Sequence, residues 1–141
     1  MYDLYLDIDG VLLRKDGKPA RHLDEFLEFA VNNFHCYWLT THCKGSISPV
    51  LKRLHNKVSP TTYQLIHKIK PTNWQTWKTE AINFKHGFFW LDDGIFLTEE
   101  EVLIKNHVAN NFIKVSAEFR DDLLYTLNDL KHFVNFANIH A

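Results

Sequence analysis

The 141-residue chain has two cysteines, no apolar run of membrane-spanning length and a net charge of only −1. Two cysteines are too few for the disulfide framework of a small secreted domain. A membrane-spanning helix needs about 20 apolar residues, so none is predicted. The near-neutral charge excludes a strong overall positive field for nucleic acid. We expect a soluble, cytoplasmic protein that does not bind membranes, and the sequence indicates no particular oligomeric state.

What the chain does contain is apolar residues (45%) and aromatic residues (14%). This composition suits one compact domain over residues 1–141, and no repeat, low-complexity stretch or linker divides it. Strand patterns alternate with helix patterns, which predicts an α/β, three-layer Rossmann-like sandwich with a mostly parallel sheet of about five strands. The predicted strands are 4–7, 35–40, 88–91 and 111–115, and the predicted helices are 21–34, 48–54, 72 or 76 to 84, one beginning at 98, and 121–136. The dipeptide Asp16-Gly17 predicts a hairpin turn in a small β-flap after the first strand.

Polar side chains follow three of the predicted strands where each ends. The first strand ends in Asp7 and Asp9, which start on the same side of the strand and are followed by Gly10. The second ends in Thr40-Thr41 and the third in Asp92-Asp93. Ligands of open parallel sheets bind beyond the carboxyl ends of the strands. Converging carboxylates repel each other, so we expect a divalent cation at this end of the sheet.

These motifs, in this order, resemble those of the haloacid dehalogenase (HAD) superfamily of phosphotransferases. Asp7-Ile8-Asp9-Gly10-Val11 matches the first motif, Thr40 the second and Asp92-Asp93 the fourth. Lys78 matches the third motif, because a helical pattern and then the Asp-Asp strand follow it; Lys70 is the competing candidate. The phrases WLTT, WK and WLDD also resemble a small HAD domain of RNA-repair proteins.

The resemblance implies a Mg²⁺-dependent phosphatase that acts through an aspartyl-phosphate intermediate. It implies that Asp7 is the nucleophile and that Asp9 serves as acid and then base. Lys78 would neutralise charge, and Mg²⁺ would bind Asp7, the Asp9 carbonyl and either Asp92 or Asp93. The residues implied for substrate binding are Thr40, Thr41, Gly10, Lys78 and His42, although for His42 a plain loop histidine is the favoured interpretation.

Spacing limits the substrate. About 25 residues separate Gly10 from His35 and about 35 separate Thr41 from Lys78, too few for an independently folded cap domain of about 50 residues. A site without a cap is open, which in this family suits large substrates, so the phosphorylated substrate is expected to be a polynucleotide or nucleotide end. The near-neutral charge argues mildly against tight nucleic-acid binding. The alternative is a catalytically silent HAD-fold module that binds phosphate or a protein.

Other residues have simpler interpretations. Trp74, Trp77 and Tyr63 could stack on a base, but core or lid packing is favoured. The nine histidines lack the spacing of a zinc site. Seven basic residues could form a local groove, but the favoured interpretation is that they lie on solvent-exposed faces of loops and helices. They are Arg14, Lys15, Lys18, Arg21, Lys44, Lys52 and Arg53.

Overall fold

The computed structural model describes residues 1–140. Its centre is one parallel sheet of four strands, β1 (Asp3–Leu6), β2 (His35–Trp38), β3 (Phe88–Asp92) and β4 (Phe112–Lys114), in the order β2-β1-β3-β4. The prediction of an α/β fold with a parallel sheet is confirmed. The sheet has four strands over the described residues, where the sequence predicts about five.

Five α-helices surround the sheet. Their bounds are α1 (Leu23–Asn33), α2 (Ser48–Leu54), α3 (Pro60–Leu65), α4 (Leu97–Lys105) and α5 (Asp122–Ile139), with 3₁₀ turns at Ile66–Lys68, Lys78–Ala81 and Ala109–Asn111. None of the helices within residues 1–140 combines the length and the apolar character needed to cross a bilayer. The 3₁₀ turn Ile66–Lys68 directly continues α3.

The sheet separates two apolar layers, as in a Rossmann-like sandwich. Leu4 and Leu6 of β1 pack with α1 and α5 in the larger core cluster, while Tyr5 packs on the other side with Trp90 and Leu103. This alternation follows from the period of two along a strand. All four residues of β1 are buried, as expected for a strand covered on both faces.

The register of the strands positions the site. Leu6 pairs with Trp38 of β2 and with Leu91 of β3, so these three strands end side by side. Asp7 and Asp92 each come directly after these paired residues. The carboxyl ends therefore bring the predicted motif residues to one end of the sheet.

The prediction of a helix from Thr72 or Thr76 to Phe84 is wrong. Only Lys78–Ala81 is helical, as a single 3₁₀ turn. Ile82 is extended, with φ −84° and ψ 130°, and its side chain is buried in the second apolar cluster. The side chain of Glu80 accepts hydrogen bonds from the backbone N–H groups of residues 75–77, which favours a tight turn over a longer helix.

The predicted β-flap is reduced to its turn. The N–H of Arg14 donates to the carbonyl of Lys18 over 2.8 Å, and Gly17 has φ 82°, a conformation that favours glycine. Only one antiparallel bridge, between Leu13 and Pro19, extends it. The dipeptide thus predicts the turn correctly, but no regular flap strands flank it.

Candidate active site

Asp7 is a buried carboxylate at the end of β1. Its backbone N–H donates to the carbonyl of Leu91 over 3.1 Å, which ties it to β3. Its Oδ1 atom accepts a hydrogen bond of 2.8 Å from the N–H of Ile8. Oδ2 remains directed toward Lys78, whose Nζ lies 3.4 Å away. One oxygen of Asp7 is therefore held by the backbone and the other lies in the site.

Lys78 lies between two carboxylates. Its Nζ donates to Oδ2 of Asp92 over 2.6 Å, in addition to the contact with Asp7. Burial acts to lower the pKa of Lys78, but the charges of Asp7 and Asp92 outweigh it and raise the pKa above its usual value. Lys78 is thus held as a cation. The competing Lys70 lies elsewhere, with its backbone N–H and carbonyl bonded to β2 at Cys36 and Trp38.

Three carboxylates form the one group of potential metal ligands of this size among residues 1–140. Asp7, Asp92 and Asp93 each offer an oxygen, and these atoms lie within 4.8 Å of one another. Burial, followed by the charge of Asp7, raises the pKa of Asp92 to about 6, against the pull of Lys78. Burial and the contact with Asp92 raise the pKa of Asp93. Negative charge exceeds positive charge here, and all the donors are hard oxygens, so the group fits Mg²⁺.

Gly10 allows the chain to pass directly beneath Asp93. It has φ 81°, and a Cβ atom at this position would overlap the side chain of Asp93. Its N–H donates to Leu13 over 2.9 Å and its carbonyl accepts from Ala117 over 2.7 Å. Glycine is therefore required both by the left-handed backbone and by the close approach of Asp93.

The carboxylate of Asp9 faces away from the other acids. Its Oδ2 lies 2.6 Å from Nε2 of His42, and its Oδ1 accepts from Nε of Arg53 over 3.0 Å and from Nη2 of the same guanidinium. Burial acts to raise the pKa of Asp9, but the hydrogen bonds from Arg53 and His42 outweigh it and hold the pKa below its usual value. The structure therefore places the side chain of Asp9 outside the metal-ligand group.

The loop after β2 carries Thr40, Thr41 and His42 to the same end of the sheet. The hydroxyl of Thr40 is 3.4 Å from the N–H of His42, and its carbonyl accepts from Cys43 over 3.0 Å. Thr40 is buried, whereas Thr41 is exposed and lines a cleft with Asp7. This loop thus contributes Thr41 to the cleft. It also contacts Asp9 through the side chain of His42.

An open cleft of about 560 Å³ gives access to the carboxylates and Lys78. Glu99 of α4 lines it, and its buried carboxylate accepts hydrogen bonds from the N–H of Lys78 (2.9 Å) and of Phe96 (3.1 Å). Glu99 thereby fixes the turn that carries Lys78 to the loop that follows Asp92 and Asp93.

Sequence reasoning missed the roles of Glu99 and Arg53. Glu99 lies in the first turn of α4, where acids also complement the helix dipole, and Arg53 is one of several basic residues of the sequence. The available signal for Arg53 was its position on the helix that follows the Thr40 motif. Tyr63 packs against His55 and His67, Trp74 is buried, and Trp77 packs against Phe96.

Comparisons of the chain with models of protein families, with curated proteins and with solved structures find no match. Function therefore has to be inferred from the site itself: its carboxylates, its lysine and the cleft that reaches them.

Proposed function

We propose that the protein is a Mg²⁺-dependent phosphatase of the HAD type, which hydrolyses phosphomonoesters through an aspartyl-phosphate intermediate. The observation that carries the proposal is the position of Lys78 Nζ, 3.4 Å from Asp7 and 2.6 Å from Asp92. A lone structural ion pair needs one carboxylate. Here a lysine and three clustered acids lie at the end of a parallel sheet where ligands bind.

Asp7, Asp92 and Asp93 would hold Mg²⁺, together with the carbonyl of Asp9. When bound, the ion would neutralise the charges of nucleophile and phosphate and orient the phosphoryl group. The fit rests on the donor chemistry: three carboxylates cluster where one lysine contacts only two of them, Asp7 and Asp92, and burial makes the charged form of Asp92 unfavourable without a further cation. Both Asp92 and Asp93 belong to the group, so both remain candidate ligands.

In the first step, Oδ2 of Asp7 attacks phosphorus, a new O–P bond forms, and the bond from phosphorus to the leaving oxygen breaks. Asp9 gives its proton to that oxygen, and for this it must be in the protonated form that Arg53 and His42 disfavour in the free protein. In the second step, water attacks the phosphoryl group and gives its proton to Asp9, which frees Asp7 and inorganic phosphate. Arg53 and His42 favour the charged form of Asp9 that the second step requires.

The remaining residues bind and orient the phosphoryl group. Lys78 is a cation 3.4 Å from the attacking carboxylate, so it would lower the repulsion between two anions. The Thr40 hydroxyl and the Thr41 N–H would donate hydrogen bonds to phosphate oxygens. Glu99 acts through Lys78, as a positioning residue.

We further propose polynucleotide or nucleotide ends as substrates. A groove of about 610 Å³ begins at Asp9 and Gly10, and the acids Asp93 and Glu118 line it together with four basic side chains. These are Arg14, Lys15, Arg53 and Lys114. A groove of this kind supports contacts to phosphates beyond the one that is cleaved.

Hydrolysis of a generic aryl phosphate, with Mg²⁺ and with a chelator, tests the proposal. We expect turnover only with Mg²⁺ and a loss of about 1000-fold or more in Asp7→Asn, since the nucleophile is removed. Asp16→Asn, which changes an exposed acid of the turn, is the matched control. Activity that persists in the chelator or in Asp7→Asn would contradict the mechanism. Mg²⁺ binding without any turnover would favour the catalytically silent module.

A further inference from the structure

The cleft above the carboxylates is much larger than a phosphoryl group requires. Its volume of about 560 Å³ lies in the range of sites for complete small molecules. Asp7, Lys78, Asp92 and Asp93 occupy its polar end. The remaining wall exposes mainly apolar surface and is formed by Thr41, Trp74, Thr76, Gly94, Ile95, Phe96 and Glu99. The cleft therefore offers an apolar surface to whatever group is attached to the phosphate.

Phe96 is a large apolar residue of this wall that remains exposed. Its side chain is 69% exposed, although a phenyl ring gains most from burial. Its backbone is fixed, because its N–H donates to Glu99 over 3.1 Å. Its ring packs edge to face against Trp77, with centroids 5.7 Å apart and planes inclined by 65°. Phe96 is thus a held ring with a free surface, in the same cleft as the nucleophile.

We propose, on the basis of the phosphatase function above, that the cleft takes phosphomonoesters that carry a flat aromatic ring close to the phosphate, and that Phe96 selects them by stacking on that ring. Such a ring occurs in a nucleotide and in phosphotyrosine. Aromatic stacking tolerates differences in ring chemistry, since every aromatic ring presents a π-face. Phe96 is therefore a specificity residue for the proposed reaction.

The basic groove on the other side of Asp9 explains the selection of a substrate less well than Phe96 does. Arg53 is already bound to Asp9, and Nη2 of Arg14 lies 2.9 Å from Oδ2 of Asp16. Glu118 adds a negative charge to the same groove. Two of the four cations of this groove are thus already paired with carboxylates. A substrate ring that stacks on the exposed surface of Phe96 has no such ion pair to displace.

Uridine 5′-monophosphate and ribose 5-phosphate form a matched pair of substrates, because they share the same phosphate ester and differ in the base. With the wild-type protein and Mg²⁺, we expect kcat/KM to be about tenfold or more higher for the nucleotide, mainly through KM. Phosphotyrosine provides the second aromatic arm. If substitution of Phe96 lowers kcat/KM more for the nucleotide than for phosphotyrosine, the cleft fits a nucleotide base. The reverse result means that it fits the ring of phosphotyrosine.

Variants of Phe96 test its role directly. In Phe96→Ala and Phe96→Leu, the preference for the nucleotide over the sugar phosphate should fall to within about twofold of unity, while Phe96→Tyr should retain it. The sugar phosphate reports any damage to the catalytic centre. Leu97→Ala is the matched control, since Leu97 is 72% exposed beside Phe96 and does not line the cleft. It should keep the wild-type preference.

Failure of this inference is distinguishable from failure of the phosphatase proposal. Equal kcat/KM for the matched pair in an active wild-type protein overturns the role of Phe96 and leaves the phosphatase intact. If nothing is hydrolysed, binding of the same two compounds to Asp7→Asn with Mg²⁺ still decides the question. Tighter binding of the nucleotide that is lost on adding Phe96→Ala supports ring selection, and equal binding rejects it.

Discussion

Asp7 and Asp9 are separated by one residue, and their carboxylates lie in opposite surroundings. The side chain of Asp7 is 10% exposed and belongs to an inner cluster with Lys78, Asp92 and Asp93. The side chain of Asp9 is 46% exposed and belongs to an outer cluster with His42 and Arg53. Negative charge dominates the inner cluster, whereas in the outer cluster a single carboxylate faces a guanidinium and an imidazole.

The pKa values of the acids reflect this difference. Burial and the neighbouring carboxylate of Asp7 raise the pKa of Asp92 to about 6, while Arg53 and His42 lower that of Asp9. An excess of buried negative charge attracts a cation, and a carboxylate with its own cations does not need one. The comparison teaches that the two carboxylates of one short motif, Asp-x-Asp, reach different surroundings because their side chains leave the strand end in different directions. This difference suits the separate roles proposed for them, a metal ligand and an acid–base group.

The largest contrast is expected from removing one cation from each cluster. In a chelator at neutral pH, Lys78→Met should lower the free energy of unfolding by about 3 to 5 kcal/mol, because it leaves two buried carboxylates without a partner. Arg53→Met should lower it by about 1 kcal/mol or less, because its ion pair is exposed. Urea unfolding of both variants measures the difference.

Mg²⁺ provides the control for this pair. Added Mg²⁺ should restore part of the lost stability in Lys78→Met, since it supplies a cation to the same carboxylates, and should affect Arg53→Met no more than the wild type. Similar losses in both variants, or no response to Mg²⁺ in either, would show that the inner cluster is not a distinct buried site.

A second contrast concerns pH, and it is smaller. Between about pH 4 and pH 6 the metal-free folded chain retains a proton on Asp92 that the unfolded chain has lost, because the folded pKa is raised to about 6. This contribution to stability is complete at low pH and is lost as the pH rises through about 6. The difference from the ordinary value of 3.8 corresponds to about 3 kcal/mol at most.

Asp92→Asn isolates this contribution, because the amide does not titrate. Measured by urea unfolding in a chelator, the stability of Asp92→Asn relative to the wild type should increase as the pH rises from 4 to 6. Above pH 6, Mg²⁺ should stabilise the wild type more than the variant. Stability curves that run parallel across this range would mean that Asp92 titrates normally.

The smallest contrast concerns the glycine that connects the two clusters. Gly10 and Gly17 both have left-handed φ values, 81° and 82°, so alanine should introduce a similar backbone strain of about 1 kcal/mol at either position. Only at Gly10 would the new Cβ overlap Asp93, since Gly17 has open space around it. Gly10→Ala should therefore weaken Mg²⁺ binding by about tenfold, measured by calorimetry, and Gly17→Ala should leave it unchanged. Equal Mg²⁺ affinities in the two variants would show that Asp93 is not a ligand of the metal.

Much of the fold follows from local patterns. Apolar runs located the strands, and the spacing of Leu23, Phe26, Leu27 and Ala30 located α1, because burial of one face dictates these periods. The wrong prediction of a helix from Thr72 or Thr76 to Phe84 shows the limit of such patterns. Ile82 leaves the helical turn to pack in the second apolar cluster, and tertiary packing of this kind overrides local propensity.

Some residues of the candidate site can likewise be predicted from the sequence, and others cannot. Asp7, Thr41, Asp92 and Asp93 line adjoining parts of one end of the sheet because each follows a parallel strand or its loop, and strand ends are readable from sequence. Partners from helices are not readable, because their docking depends on the complete core. Arg53 meets Asp9 across 44 residues, and Glu99 meets Lys78 across 21.

The most direct test of the account is the location of the phosphoryl group after reaction with an aryl phosphate and Mg²⁺, by acid quenching and peptide mass spectrometry. An aryl leaving group needs little proton donation, so Asp9→Asn should still complete the first step and stall at the second. We predict that the phosphoryl group accumulates on Asp7 in Asp9→Asn and is absent from Asp7→Asn. Turnover with no phosphoryl group on Asp7, or with one on another residue, would contradict the different roles assigned to the two carboxylates.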